Sequence, residues 1–557
     1  MEITKREPLA GNLAQLLLFF SMLLDSSNAY LDYSYSITAL CLLLAGGIIL
    51  ITGVKLDDKR SYYLVLIELF SIPVVYFTIT FNPLFLLFYI PLFLGFKYGF
   101  KRVSLVLLFG IPLLFLPDKT FFGTDEIMIG YYSAYLFLHH LNPYNNTLTA
   151  NVYQFYHINY AKYIFGTPYT TGGFVTNLDY PSLFFLIEIP SVVLKISPNY
   201  TILFFYLLTG LLMYFYTDNM TFLFFISIYL LNYNYLLYPL GGVDDIIWVF
   251  FVLLSFTVKD IRIKGLLYGF AISYKQDPLV VLPFYLMRLN GREDRLKFIL
   301  YSALSFFLLN SYFILSSPVL FFQDILTPLN GGLLQIGYGI DLLSITNLYY
   351  LYPLFFIITP LLIIIIGILL NKVKWYGIVY FAFLFFYRVL WNYLIYWPFF
   401  SYIEPQNSIN KKENNTKKGS FSREKKRDLS IIFIAIILIS FLGIFFHFNY
   451  ISYSNSIKIR LIKIFEGGNH IYGFLLNVTF VGKGEIKPLF RILLSSPTIS
   501  ANGLLWCSNS TSLRSGQSEI VYIYAPFEFL YVNVSENEIV EINAYYSDYQ
   551  GFIQLRL

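Results

Sequence analysis

Residues 121–147 read FFGTDEIMIGYYSAYLFLHHLNPYNNT. An apolar run ends here, two acids stand side by side at Asp125 and Glu126, and a long polar stretch begins. What surrounds this junction decides the fold. The chain is 57% hydrophobic and 13% charged, where a soluble domain carries about 25% charged residues. Mean hydropathy is +0.63. Apolar runs recur from end to end, at 9–24, 35–54, 62–81, 82–96, 103–117, 181–196, 200–216, 221–238, 241–258, 265–275, 278–288, 297–315, 346–370, 375–387, 389–403 and 429–446. A straight crossing needs roughly 20 residues. The pattern predicts a polytopic α-helical membrane protein of about 13–15 transmembrane helices, the shorter runs being tilted, buried or partly crossing.

Basic residues orient the spans. Lys5, Arg6, Lys55, Lys59, Arg60, Lys97, Lys101 and Arg102 fall at alternate turns. This puts the N-terminus in the cytoplasm and 118–180 outside. The basic loop 404–428 is then cytoplasmic; its charge is that of a cytoplasmic flank, and no nucleic-acid signature accompanies it. The span 429–446 delivers 449–557 to the outside. There the periodicity changes to alternation, as in IVYIY (520–524) and EIVEINAYY (538–546), with turns at GKGE (482–485) and SENE (535–538). These signals predict an external β-sandwich. Sequons at Asn477, Asn509 and Asn533 suit an exposed domain. The expected organisation is four extra N-terminal spans in 1–102, a transmembrane domain in 103–403, the basic loop, a last span and the β domain. The candidate runs give even parity where these ends need odd, so one segment between 181 and 258 is not a full crossing. Cys41 and Cys507 are too differently placed to form a disulfide framework.

Several charged residues could carry chemistry. Thr124 or Asp125 caps a helix, with acid favoured in its first turn. A carboxylate at the membrane edge can also act as a general base, its pKa raised by partial burial. The helix that follows, 127–141, has a small-residue strip at Gly130, Ser133 and Ala134 and is expected to lie at the interface. His139 and His140 point about 100° apart, so they cannot both face one site. Asp179 precedes Pro181, and Asp244 and Asp245 follow a Gly-Gly break; each can be a cap or line a cavity. Lys275 sits at the tip of a short helical hairpin and Arg388 at a turn. They can snorkel, pair with carboxylates or clamp a lipid phosphate. Glu188 is an intramembrane carboxylate without an evident partner.

Four segments in order, YYSAYLFLHHLNPY after the acidic pair, LDYPSLFFLIEIPSVVL, PLGGVDDIIWVFFVLLSF and GLLYGFAISYKQDPLVVLPF, resemble the GT-C superfamily of membrane glycosyltransferases. The closest likeness is to its polyprenyl-phosphate-mannose-dependent branch. The resemblance covers about 103–290, with weaker likeness to 400. It implies an inverting transferase that moves one hexose, mannose at best guess, from a polyprenyl (dolichyl) phosphate to a hydroxyl of a glycan or glycolipid at the external face. It implies Asp125, with Glu126, as catalytic acids and Lys275 and Arg388 as donor-phosphate ligands. His139, Tyr132, Asp179, Asp244, Asp245 and Asn392 are cavity-lining candidates. No cofactor is required by this resemblance, although Asp125, Glu126 and a further acid could hold Mg²⁺ or Mn²⁺. Tyr-Pro-Ser at 180–182 and Val243 depart from the family pattern and leave the sugar open. A Trp-Trp-Asp-Tyr-Gly block, the mark of the oligosaccharyltransferase branch, is absent. The rival reading is a lipid-linked glycan transporter or flippase, though the internal repeats common in transporters are not seen.

Overall fold

The computed structural model describes residues 8–25, 27–54, 58–115, 123–157, 160–329, 332–370, 374–403, 418–534 and 537–557. Lys5, Arg6 and Lys55, the start of the 118–180 loop, most of the basic loop and part of the SENE turn lie outside them. Among the described residues, five helices are long and apolar enough to cross a membrane: Pro8–Asp25, Tyr33–Thr52, Asp58–Thr80, Asn199–Tyr216 and Gly291–Ser316. Asn219–Leu231 and Asn234–Leu240 add a sixth if this pair, bent by 61°, is one span. The bend falls between 181 and 258, where a partial crossing was expected. Other apolar runs form shorter helices. The run 103–117 becomes Phe100–Phe115 (16 residues), 265–275 becomes Ile261–Tyr274 (14 residues), and 278–288 ends in Leu282–Arg288 (7 residues). The run 181–196 is divided into Leu183–Leu186 and Ile189–Leu194, with Glu188 at the break.

Buried polar groups tie the bundle together. Asn12 Nδ2 donates to Glu68 Oε2 at 2.8 Å, and Ser227 Oγ donates to the same oxygen at 2.5 Å, joining three helices. Such bonds repay the desolvation of groups that lipid cannot satisfy. The other helix faces are apolar and exposed, with Ile67 and Leu315 at 66% and 74% exposure. A patch of that kind needs a non-aqueous neighbour.

The C-terminal residues form one antiparallel sheet rather than a sandwich. In spatial order its strands are Val532–Asn533, His470–Phe480, Ser518–Tyr524, Leu504–Ser508, Leu489–Leu494, Ile539–Tyr546 and Tyr549–Arg556, with Ile457–Gly467 also paired to His470–Phe480. Two halves that alternation alone would stack as separate layers are joined by the pairing of Cys507 with Tyr524 and Ser508 with Ile523. The sheet curls into a nearly closed barrel, which brings Tyr549–Arg556 against Ile457–Gly467. Curling reduces free edges. Alternate side chains fill its core, Phe474, Leu476, Val478 and Phe480 being fully buried. Asn509 and Asn533 are exposed, whereas Asn477 is half-buried in a strand paired on both sides.

The barrel is fastened to the helical body over a broad front. Leu31 N–H donates to Leu494 O at 3.1 Å, and Thr498 N–H donates to Ser27 O at 2.7 Å. Arg491 Nη1 donates to Gln335 O at 2.7 Å, Asn347 Nδ2 to Glu541 Oε1 at 2.7 Å and Asn502 Nδ2 to Gly166 O at 3.0 Å.

Candidate functional site

The acidic pair opens helix Asp125–Leu138, and Thr124 caps it: its Oγ1 accepts from Ile127 N–H at 3.3 Å. The same hydroxyl donates to Gly242 O at 2.7 Å. This bond fixes the helix start against the Gly-Gly break at 241–242. Only glycine permits the approach. A Cβ at Gly123 would stand 1.8 Å from Gly241 O, and Gly242 has φ +83° with Ile127 packed against it. Gly130, in the small-residue strip, seats Phe184 in the same way, since a Cβ there would meet its ring at 2.6 Å.

With the helix start and the break in contact, two acidic pairs face one another, and Lys275 lies between them. Its Nζ is 2.5 Å from Glu126 Oε1, 2.7 Å from Asp245 Oδ1 and 3.7 Å from Asp244 Oδ1. The rings of Tyr180 and Tyr393 flank the ammonium at 5.2 and 5.8 Å. Asp245 also accepts from Trp248 Nε1 at 3.0 Å and Asn392 Nδ2 at 2.6 Å. Asp244 is fully buried, with the Tyr274 hydroxyl beside its carboxylate. Lys275 is thus covered by carboxylates, the pairing that its sequence context offered beside a phosphate clamp. One ammonium facing three carboxylates leaves formal negative charge in excess.

Asp125 stands beside this cluster in a different setting. Its Oδ2 accepts from Thr167 N–H at 2.8 Å, and its Oδ1 accepts from Glu126 N–H at 3.0 Å. Burial pushes its carboxyl above the usual range, partly offset by the Thr167 amide and the positive charge of Arg388. Burial also raises Glu126, against the lowering effect of Lys275. Asp179 is pushed up to about 8, by burial first and then by the charges of Asp125 and Glu126. Arg388 is positioned by a short parallel bridge, Ile336 with Arg388 and Gly337 with Val389, and its Nη1 donates to Leu334 O.

The structure therefore brings together Asp125, Glu126, Asp179, Asp244, Asp245, Lys275, Arg388 and Asn392. It does not bring His139 or Tyr132 to them. His139 is exposed at the far end of the helix, its Nδ1 2.8 Å from Tyr135 O and its ring 4.1 Å from that of Tyr135. Tyr132 donates to Leu148 O at 3.3 Å and packs on Phe155. Both share roughly the face of Asp125 but lie further along the helix, about 10 Å and about 21 Å from its acidic start at about 1.5 Å per residue. Sequence reasoning missed Thr167, Tyr180, Tyr393 and Gln276. Gln276 Nε2 donates to Asp179 O at 2.6 Å and Ile325 O at 3.1 Å, holding the Asp179 loop to the hairpin. Its place directly after Lys275 was the available signal; Thr167 had none. Among the described residues, no three His, Cys, Asp or Glu side chains are grouped so as to hold a metal ion. No family model, no curated protein and no solved structure matches the chain.

Proposed function

We propose that the chain is an inverting glycosyltransferase that moves one hexose, mannose by the resemblance of its motifs, from a polyprenyl phosphate to an acceptor hydroxyl. The observation that carries this reading is the pairing of two unlike environments. Asp125 is held by two backbone N–H groups with its proton affinity raised by burial, beside Arg388. In the reaction, the acceptor oxygen attacks the anomeric carbon as its proton passes to Asp125. The bond from that carbon to the phosphate oxygen breaks, and polyprenyl phosphate leaves with the electron pair. Arg388 stabilises the charge that develops on the phosphate. Lys275 acts as a positioning residue that holds Glu126 and Asp245, rather than as an open ligand. The reading takes the shorter apolar helices as crossings too, within a multi-pass protein of the cell membrane whose N-terminus is cytoplasmic and whose barrel is external. The membrane-anchored donor then confines its phosphate to the plane in which the acids stand, which is the advantage of proximity.

The test is transfer of labelled sugar from synthetic polyprenyl-phosphate mannose, and separately glucose, into membrane glycolipid and glycoprotein. Incorporation by wild type that Asp125→Asn abolishes at equal expression supports the proposal. Equal incorporation by both removes Asp125 as the base.

A further inference from the structure

Beside the acidic cluster lies a second feature, a cleft of about 250 Å³. Four distant parts of the chain build it: the end of helix Pro8–Asp25 with the loop after it, the bent helix Asn234–Leu240, Tyr338, and the segment 390–392. Three aromatic residues, Tyr238, Tyr338 and Trp391, and three amides, Asn28, Asn234 and Asn392, line it. None of its lining side chains is charged. Tyr338 and Trp391 are stacked with centroids 4.4 Å apart, so that wall is rigid. The Trp391 side chain is more than nine-tenths buried, yet its indole N–H has no partner among the described residues. A buried donor left unpaired is rare and asks for an acceptor that the protein does not supply.

Asn28 is engaged at both ends, whereas Asn234 and Asn392 each donate and leave an oxygen available. Asn28 Nδ2 donates to Thr498 O at 3.0 Å while its oxygen takes the Tyr338 hydroxyl. Asn234 Nδ2 donates to Asn232 Oδ1 at 3.0 Å, and Asn392 Nδ2 to Asp245 Oδ2. No donor reaches the side-chain oxygens of Asn234 and Asn392 among the described residues. The cleft thus offers aromatic surface and amide acceptors, and no charged side chain. An anion gains nothing there, and a purely apolar ligand would strand the polar groups. A neutral pyranose suits it: one ring face is C–H surface for an aromatic wall, and its rim carries hydroxyls that donate to amide oxygens and accept from N–H. Asn392 belongs both to the cleft and, through Asp245, to the cluster that holds Lys275 and Glu126. A ring seated in the cleft lies one side chain from the acidic cluster.

We infer that this cleft is the seat of a neutral pyranose of the acceptor, so that the acceptor is a glycan and not a bare protein hydroxyl. The inference rests on the transferase reading for the word acceptor, whereas sugar binding stands alone. It is tested by saturation-transfer NMR on the full chain in lipid nanodiscs, with the methyl α-pyranosides of mannose, glucose and galactose as probes. Acyclic mannitol and an unglycosylated serine peptide are the controls. At least one pyranoside binds saturably, and Asn234→Ala and Tyr238→Leu each weaken it tenfold or more. Asn234→Ser, which preserves a small polar side chain, guards against a folding defect and shows the same loss with an unchanged melting temperature. The inference is overturned if no pyranoside binds better than mannitol, if the peptide binds instead, or if the variants bind as wild type does. Sugar transfer that Asn234→Ala leaves with an unchanged acceptor KM overturns the cleft while the transferase stands. Pyranoside binding lost in Asn234→Ala, with no transfer by wild type, keeps the cleft and removes the transferase.

Discussion

Replacing Lys275 by Met leaves a similar volume and removes one charge from a buried cluster. The ammonium is 3% exposed and touches Glu126 and Asp245 at 2.5 and 2.7 Å. Breaking a buried ion pair by deleting one partner costs about 3–5 kcal/mol, because the remaining charge is left desolvated and unpaired. The cost here sits in that range even if one carboxyl takes up a proton, since two carboxylates then still face each other without a cation. With roughly 2.1 cal/mol/K of unfolding entropy per residue, and the whole chain unfolding as one unit, the melting temperature falls on the order of 3–4 °C. Asp244→Asn has the opposite sign. That carboxylate is 3.7 Å from Lys275 Nζ, further than its neighbours, and faces the like charges of Glu126 and Asp245, so its removal relieves the excess negative charge. The amide is neutral to stabilising, and placed on the Lys275→Met background it recovers part of the loss. Both are read by intrinsic tryptophan fluorescence during heating in detergent. A Lys275→Met protein that melts as wild type does, or an Asp244→Asn loss as large as that of Lys275→Met, refutes the charge count.

Three further outcomes follow from the same geometry. Gly123→Ala drives a Cβ to 1.8 Å from a backbone carbonyl and destabilises by about 1–3 kcal/mol, as overpacking does, whereas Gly443→Ala, with its nearest neighbour at 3.8 Å, is within error of wild type; equal melting temperatures for the two would show that the helix start and the glycine break are not held together. In sugar transfer, the acidic limb of the rate profile lies above the ordinary carboxylate value of about 3.9, because Asp125 must lose its proton to act, and Arg388→Gln moves that limb to higher pH by removing a charge that favours the ionised form; a limb that stays put, or moves down, would exclude this coupling. Asp179, raised in the folded protein from 3.8 to about 8 by burial and two neighbouring acids, favours folding at low pH and withdraws that contribution as pH climbs between those values; Asp179→Asn therefore flattens the fall in melting temperature from pH 5 to 8, and an unchanged slope would count against the assignment.

Much of the site was legible because its residue types are expensive in an apolar chain. Asp244, Asp245 and Lys275 could not be left in hydrocarbon unpaired, so their mutual pairing follows from solvation alone. Thr124 was legible as a cap because its hydroxyl precedes acids in a first turn. What escaped was anything set by distant backbone. Thr167 holds Asp125 through its amide, a group every residue but proline carries, so no side chain announces it. Alternation in 449–557 revealed strands, but only the Cys507–Tyr524 pairing decides between two layers and one curled sheet, and register is a long-range property. His139 was singled out by type, while its distance follows from counting residues: at about 1.5 Å of rise each it lies roughly 21 Å along the helix from Asp125. Helix lengths were the least legible part. Runs of similar hydropathy became Gly291–Ser316, with 26 residues, and Leu282–Arg288, with 7, because proline and tertiary packing decide where an apolar segment stops.

The bond between Asn28 and Thr498 joins residues 470 positions apart, which gives the wall of the aromatic cleft a history in time. At about 5–20 residues per second of synthesis, roughly 25–95 seconds separate the two halves of that contact. During that interval the loop around Asn28 and Leu31 has no barrel to rest on. Every nascent chain passes through this stage. That wall of the cleft therefore takes shape only after the barrel strands around Thr498 have been made.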